Sequence, residues 1–256
     1  MQPRTLYRIL LCGGLGFLCS CEPPGKPKWE ERWKPPSELK NFAELFDTNC
    51  RACHSNGETL GASISMNNPP YLAIVPKDAV HKAIQDGIRG TAMPGFSAKA
   101  GGLLTDEQIN ILADGVYNWA KGHEAPTDNL PPYSAALGDA ERGEAVFAQN
   151  CANCHGSNGE GVKGKAGSVI DTTYLSLVTD QYLRTVVIVG RPDLGMPGFR
   201  DYVAGKPMTP EEISDVVAWL ASRRQGPAPG QTAEAANVPA QAELRPTGTQ
   251  PSTSKQ

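Results

Sequence analysis

Apolar residues recur at helical spacing in two separate regions of the chain. Leu39, Phe42, Leu45 and Phe46 make one face of an opening helix, and Val146 and Phe147 mark a second such helix. Residues 78–86 and 180–189 each read as a middle helix stopped by a glycine, Gly87 or Gly190, the residue type that closes helices most readily. Val186-Val187-Ile188-Val189 taken alone suggests a strand. Its counterpart at 79–86 is plainly helical, and the comparison decides for helix. Thr209-Pro210-Glu211-Glu212 is a capping box with proline at the first helical position, and Thr105-Asp106-Glu107-Gln108 is its counterpart. Closing helices follow, with Ile213, Val216, Val217 and Leu220 on one apolar face and Ile109, Leu112, Val116 and Trp119 on the other. The tryptophan comes ten residues after the isoleucine in the first copy and six in the second, so the first closing helix is expected to run one turn longer.

These matched elements are two copies of one domain. Phe46 pairs with Phe147, Tyr71-Leu72 with Tyr174-Leu175, Gly87 with Gly190, Met93-Pro94-Gly95-Phe96 with Met196-Pro197-Gly198-Phe199, and Thr105 with Thr209. The offset drifts only from 101 to 104 residues, which means small loop changes between equivalent elements. The copies occupy 37–122 and 138–224, joined by a proline-containing linker at 123–137. Residues 225–256, mostly Pro, Ala, Thr and Gln, are expected to be a disordered tail.

Composition adds two constraints. The 256 residues include 27 Gly and 22 Pro but only 7% aromatics, a poor recipe for one large core. A net charge of −3 gives no basic footprint, so nucleic-acid binding is excluded as a role. At the N-terminus, Arg4 and Arg8 precede a short apolar stretch at 9–18, the form of a signal peptide over residues 1–20. It ends at Leu18-Cys19-Ser20-Cys21. Residues 21–36, rich in proline and charge, then read as a semi-rigid tether reaching about 45 Å if extended.

The cysteines carry the chemistry. Cys12 and Cys19 fall in the leader, and the remaining four beyond Cys21 lie in Cys50-Arg51-Ala52-Cys53-His54 and Cys151-Ala152-Asn153-Cys154-His155. C-x-x-C-H is the attachment pattern of haem c: two thiols add to the two vinyl groups of a macrocycle, and the next residue places an imidazole under the iron. A disulfide, a thioredoxin-like pair or half a zinc site are the blander readings of C-x-x-C. The histidine and the repetition disfavour all three. Two covalently bound haem c groups are therefore expected, on Cys50 and Cys53 with His54, and on Cys151 and Cys154 with His155.

Each iron needs a ligand on its other side. Met93 and Met196 lie 39 and 41 residues after their histidines and stand in identical Met-Pro-Gly-Phe settings. Met208 sits beside the Thr209 cap opposite Leu104, a packing position; Met66 has no methionine twin and lies in a polar loop, His81 falls opposite Arg184 at a solvated basic position, and His123 begins the linker, which leaves His81 or Met66 as the alternative ligand. Arg89 and Arg191, both just before the methionine loops, are candidates for pairing with haem propionates or for plain solvation.

Together these motifs resemble the class I c-type cytochromes in a tandem dihaem arrangement, over about residues 37–224. The resemblance implies an all-α fold of two cytochrome c domains, each a few helices around a haem, His/Met ligation and one-electron transfer without substrate chemistry. The leader resembles a bacterial lipobox, which implies a lipid on Cys21 and anchorage on the periplasmic side of a membrane. The implied partners are a redox donor and acceptor in respiratory or photosynthetic complexes. A fixed subunit of such a complex is the alternative, and a dihaem peroxidase or gas sensor a more distant one. Two departures stand out. The family's helix-crossing glycine is present as Gly143 but replaced by Phe42 in the first copy, where the crossing is expected to be wider and relieved by Gly115. The family's proline carbonyl for the proximal histidine has candidates in Pro69 or Pro70 of the first copy and none in the second.

Overall fold

A computed structural model describes residues 33–55 and 60–230. The leader, Cys21, most of the tether and the tail beyond 230 lie outside the described residues. The described residues up to Leu39 belong to a unit separate from the rest and form a 3-10 turn at Pro36–Glu38. The described residues from Lys40 onward belong to one larger unit, and every regular element among them is helical.

The first copy runs α1 (Phe42–Asn49), α2 (Arg51–His54), α3 (Pro69–Ile74), α4 (Lys77–Asp86) and α5 (Asp106–Asn118). The second runs α6 (Ala140–Asn150), α7 (Ala152–His155), α8 (Thr172–Leu177), α9 (Asp180–Val189) and α10 (Pro210–Ser222). Helix α1 starts later than the apolar pattern suggests, because the Asn41 side chain accepts the Glu44 N–H at 3.0 Å and caps it, leaving Leu39 outside. Both capping boxes form: Thr105 with Gln108, and Thr209 with Glu212. The two closing helices are each 13 residues long, and Trp119 is the C-cap of α5 rather than part of an extra turn.

The crossing of opening and closing helices differs between copies by an exchange of glycine. At Gly143 of α6, a Cβ would overlap the carbonyl oxygen of Asp215 in α10, so the two backbones touch there. Trp219 stacks on Phe147 next to this contact, with ring centroids 4.3 Å apart. In the first copy the glycine sits on the closing helix: a Cβ at Gly115 would run into the ring of Phe42. Phe42 and Phe46 then meet Trp119 edge-on, at 4.9 and 4.7 Å. Gly115 does provide the room that Phe42 requires.

The second crossing also carries a buried acid. The Asp215 carboxylate accepts the Asp139 N–H at 2.7 Å and a fork from Arg142, Nε at 2.8 Å and Nη2 at 2.9 Å. The Arg142 hydrogen bonds hold this carboxyl below its ordinary range, assisted by the Asp139 N–H and opposed by burial. The native state therefore binds the proton less readily than the unfolded chain. Asp215 contributes stability above about pH 4, the unfolded value, and that contribution disappears as pH falls through the lower native value. Acid unfolding of Asp215→Asn should show a flatter acid limb than that of the unchanged protein; identical slopes would refute this.

Helix α9 is buried on both sides, which explains its β-branched run. Val186, Val187, Ile188 and Val189 are all under 10% exposed and belong to one apolar cluster with Phe147, Ile213 and Trp219. Tertiary burial outweighs strand propensity here. Helix α3 of the first copy contacts α9, and Ile64, 3% exposed, joins the cluster, with Met66, Tyr71 and Ile74 packed against it. The copies thus share core rather than merely adjoining. In the twin helix α4 only Val80 and Ile84 are buried.

Arg184 corrects the expectation of a solvated position. It is 3% exposed and its guanidinium donates to the Pro132 carbonyl through Nε and Nη2, at 3.1 and 3.0 Å, and to Ser214 Oγ at 3.0 Å. The linker is pinned further by Gln181 Nε2 to the Tyr133 carbonyl at 2.8 Å and by Arg200 to the Asp128 carbonyl. The chain after α10 also turns back onto the body, where Ala228 is buried and Pro229 lies against Gly90.

Candidate haem centres

The attachment motif is shaped by a helix break. Cys50 ends α1, its N–H bonded to the Phe46 carbonyl, and simultaneously opens the single turn of α2, its carbonyl accepting the His54 N–H at 2.9 Å. Cys151 does the same between α6 and α7, accepting from His155 at 3.0 Å. Residues i, i+3 and i+4 of such a turn share one face, so two thiols and an imidazole are presented together. Cys50 and Cys151 are half-buried, Cys53 and Cys154 exposed, and no disulfide joins them. Burial, with a smaller contribution from the neighbouring thiol, pushes Cys50 and Cys151 up to about 12, so both are uncharged thiols at neutral pH.

The two histidines are held alike. His54 Nδ1 lies 3.1 Å from the Ile64 carbonyl and His155 Nδ1 lies 3.0 Å from the Gly167 carbonyl. A carbonyl only accepts, so Nδ1 carries the hydrogen and the Nε2 lone pair is left for a metal. Burial pushes the His54 imidazole below its usual range, which also favours the neutral ligand form. The residues present fit a haem c in both copies. The proline carbonyl expected from Pro69 or Pro70 is not the acceptor: in both copies a carbonyl in the loop after the motif takes that place. Both prolines instead open α3 behind the Asn68 cap.

The methionine loops are built alike. Gly87 and Gly190 end the middle helices at φ 71° and 70°, and a Cβ on either would overlap the Met-Pro-Gly backbone. Each following loop is tied back: Ile88 N–H to the Met93 carbonyl at 3.0 Å, and Arg191 N–H to the Met196 carbonyl at 3.0 Å. Phe96 and Phe199 N–H groups then bond to the carbonyls of Ile84 and Ile188, at 2.9 and 3.0 Å. Met93 and Met196 are both half-buried on loops held to the ends of α4 and α9.

Three of the four rival candidates are engaged elsewhere. Met208 is 3% exposed in the second core, Met66 packs on the shared cluster, His81 Nε2 is hydrogen-bonded to Asn110 Oδ1 at 3.0 Å, and His123 is exposed. Arg89 is exposed. Arg191 is buried against Asp193, with Nε and Nη2 bonds of 2.9 and 2.7 Å. The backbone register pairs Arg191 with Ile88, so the two arginines are not equivalent. Trp219 Nε1 is buried without a hydrogen-bond partner, a donor left open in the core that adjoins the second attachment motif. Sequence reasoning missed the carbonyls of Ile64 and Gly167, since any residue type supplies a carbonyl and only the fold selects which one.

Two helical domains of this construction, each with a C-x-x-C-H turn and a methionine loop tied to the end of its middle helix, define a tandem c-type cytochrome with two covalent haems. Residues 37–114 and 138–220 match the cytochrome family described as cytochrome c oxidase, cbb3-type, subunit III, and the chain belongs to it. Among its relatives is the cbb3-type cytochrome c oxidase subunit FixP of Sinorhizobium medicae, 30% identical over 46% of this chain and 39% of the relative. The cytochrome bc1 complex cytochrome c subunit of Mycobacterium bovis is 26% identical over 75% of this chain and 66% of the relative. The chain thus spans from about two fifths to just under two thirds of the length of these relatives. A chain of the reducing HAO-like complex of Kuenenia stuttgartiensis superposes with a TM-score of 0.45 at 14% identity, covering 75% of this chain and 100% of that one. Among the described residues no helix is long and apolar enough to cross a membrane.

Proposed function

We propose that this protein carries single electrons between membrane-associated redox partners, with His54 and Met93 on one iron and His155 and Met196 on the other. The observation that carries this reading is the matched pair of sites: two imidazoles fixed in the same tautomer and two methionine loops tied to the same helix end. Haem c, when attached, takes up and releases one electron at its iron. The chain supplies the rest: two thioether links, an imidazole that cannot rotate while Nδ1 is bonded, and a thioether ligand that favours the reduced state. With an imidazole and a thioether both bound, each iron would have no open position for substrate, which would separate a carrier from a peroxidase or a gas sensor. Relatives that are subunits of a cbb3 oxidase and a bc1 complex point to respiratory complexes as donor and acceptor.

The testing experiment is the visible spectrum of the matured protein, oxidised and reduced, with and without carbon monoxide. Two low-spin haems indifferent to the gas are expected. A high-spin haem, or gas binding in the unmodified protein, would bring the enzyme or sensor reading forward.

The lipobox form of Leu18-Cys19-Ser20-Cys21 supports anchorage through lipid on Cys21, on the periplasmic side of a bacterial membrane. Cys21→Ala should move the protein from the membrane to the soluble fraction. Unchanged sedimentation with membranes would remove the anchor from this reading. The shared core between domains also suits service as a fixed subunit, and co-purification with an oxidase or quinol-oxidising complex distinguishes subunit from shuttle.

A further inference from the structure

We propose that Arg191 is a positioning residue that couples the two haem sites: it ties the loop presenting Met196 to the loop that follows the first attachment motif. The proposal rests on the ligand assignment above. Its basis is one hydrogen bond that the ion pair with Asp193 does not require. Arg191 Nη2 donates to the Gly61 carbonyl at 2.9 Å, across 130 positions of sequence and from one domain to the other. The side chain is 8% exposed and Asp193 24%, so the pair is largely out of water and held in a fixed fork.

Both ends of this tie are at the sites. Arg191 and Met196 exchange two backbone hydrogen bonds of 3.0 Å, which close the methionine loop on itself. At the other end, Gly61 lies so close to the Cys53 carbonyl that a Cβ would overlap it, and Ser63 N–H bonds to that same carbonyl at 2.9 Å. Ile64, one residue on, accepts from His54 and buries its side chain in the second domain's core. Four consecutive residues therefore contact Arg191, the first attachment motif, the first proximal histidine and the second core. Among the described residues the first copy has no such tie, because the position equivalent to Arg191 is Ile88, 38% exposed. The residues that would hold the two haems are thus linked through one guanidinium, so a change at Arg191 reaches the loop that orients His54 as well as the loop that presents Met196.

The test uses the full holoprotein with Arg191→Gln, Arg191→Lys and Asp193→Asn. Midpoint potentials are measured haem by haem, and amide hydrogen exchange is followed over residues 61–66. Arg191→Gln is expected to shift the potential of the first haem and to speed exchange at 61–66, although the substitution lies in the second domain. Arg191→Lys keeps the charge but lacks the fork that reaches Asp193 and Gly61 together, so it should show a smaller change of the same kind. If the glutamine variant does not assemble, the lysine variant carries both readouts. Asp193→Asn should alter the second haem alone. A change confined to the second haem in both arginine variants, with exchange at 61–66 as in the unmodified protein, would overturn the proposal. Failure of the methionine assignment would show separately, as a Met196→Ala protein whose second haem does not take up carbon monoxide.

Discussion

Met93→Ala should convert one of the two haems from a closed to an open iron, so that the reduced variant binds one carbon monoxide per protein where the parent binds none. Met196→Ala should open the other haem, and the double variant should bind two. Each single variant should lose half of the weak absorption that arises from methionine sulfur bonded to ferric iron. The potential of the opened haem should fall, since thioether ligation favours the reduced state. The fold is expected to survive, because both methionines are only half-buried and their loops are held by backbone bonds at Arg191, Ile88, Phe96 and Phe199. Met66→Leu and Met208→Leu are the controls. Met208 fills the second core and Met66 the shared cluster, so leucine in either place should leave gas binding absent. If neither alanine variant binds carbon monoxide, Met93 and Met196 are not the ligands.

Gly143→Ala is expected to destabilise the second domain by roughly 3 kcal/mol, the upper part of the range for overpacking. Alanine in mid-helix ordinarily gains about 0.5–1 kcal/mol over glycine, so the sign itself is informative. The obstacle is the Asp215 carbonyl, part of the backbone of α10, and moving it would displace the Arg142–Asp215 pair and the Phe147–Trp219 stack. Trp219→Ala should therefore fail to rescue it. Gly115→Ala in the first copy is different in kind. The three atoms nearest its new methyl group all belong to the ring of Phe42, and Phe42→Ala in the same chain should restore much of the loss. Thermal unfolding of the four single and two double variants, with the parent, forms two double-mutant cycles. Strong coupling is expected at Phe42–Gly115 and little rescue at Gly143–Trp219. Equal behaviour of the two pairs would mean that the crossings are packed alike.

This contrast shows how far the chain could be read from its residues. Opening, middle and closing helices were visible because caps and apolar spacing are local properties: Thr105 and Thr209 bond within four residues of themselves. The run at Val186–Val189 needed its twin for interpretation, since its own pattern reflects burial on two faces, one of them supplied by the other domain. The length of the first closing helix was misjudged from Trp119. An aromatic residue can reach Phe42 and Phe46 from the C-cap without continuing the helix.

The sequence alone determined the chemistry. The spacing of Cys50, Cys53 and His54, and of Cys151, Cys154 and His155, suits one turn that presents two thiols and an imidazole on one face. Repetition marked Met93 and Met196 out from the other methionines. Tertiary structure decided everything that depends on which backbone comes near. It chose the Ile64 and Gly167 carbonyls over a proline for the histidines, buried Arg184 under the linker, and carried Arg191 from the edge of one methionine loop to Gly61 of the other domain. Main-chain carbonyls have no residue type to betray them. Side chains as long as arginine reach partners that neither spacing nor polarity specifies.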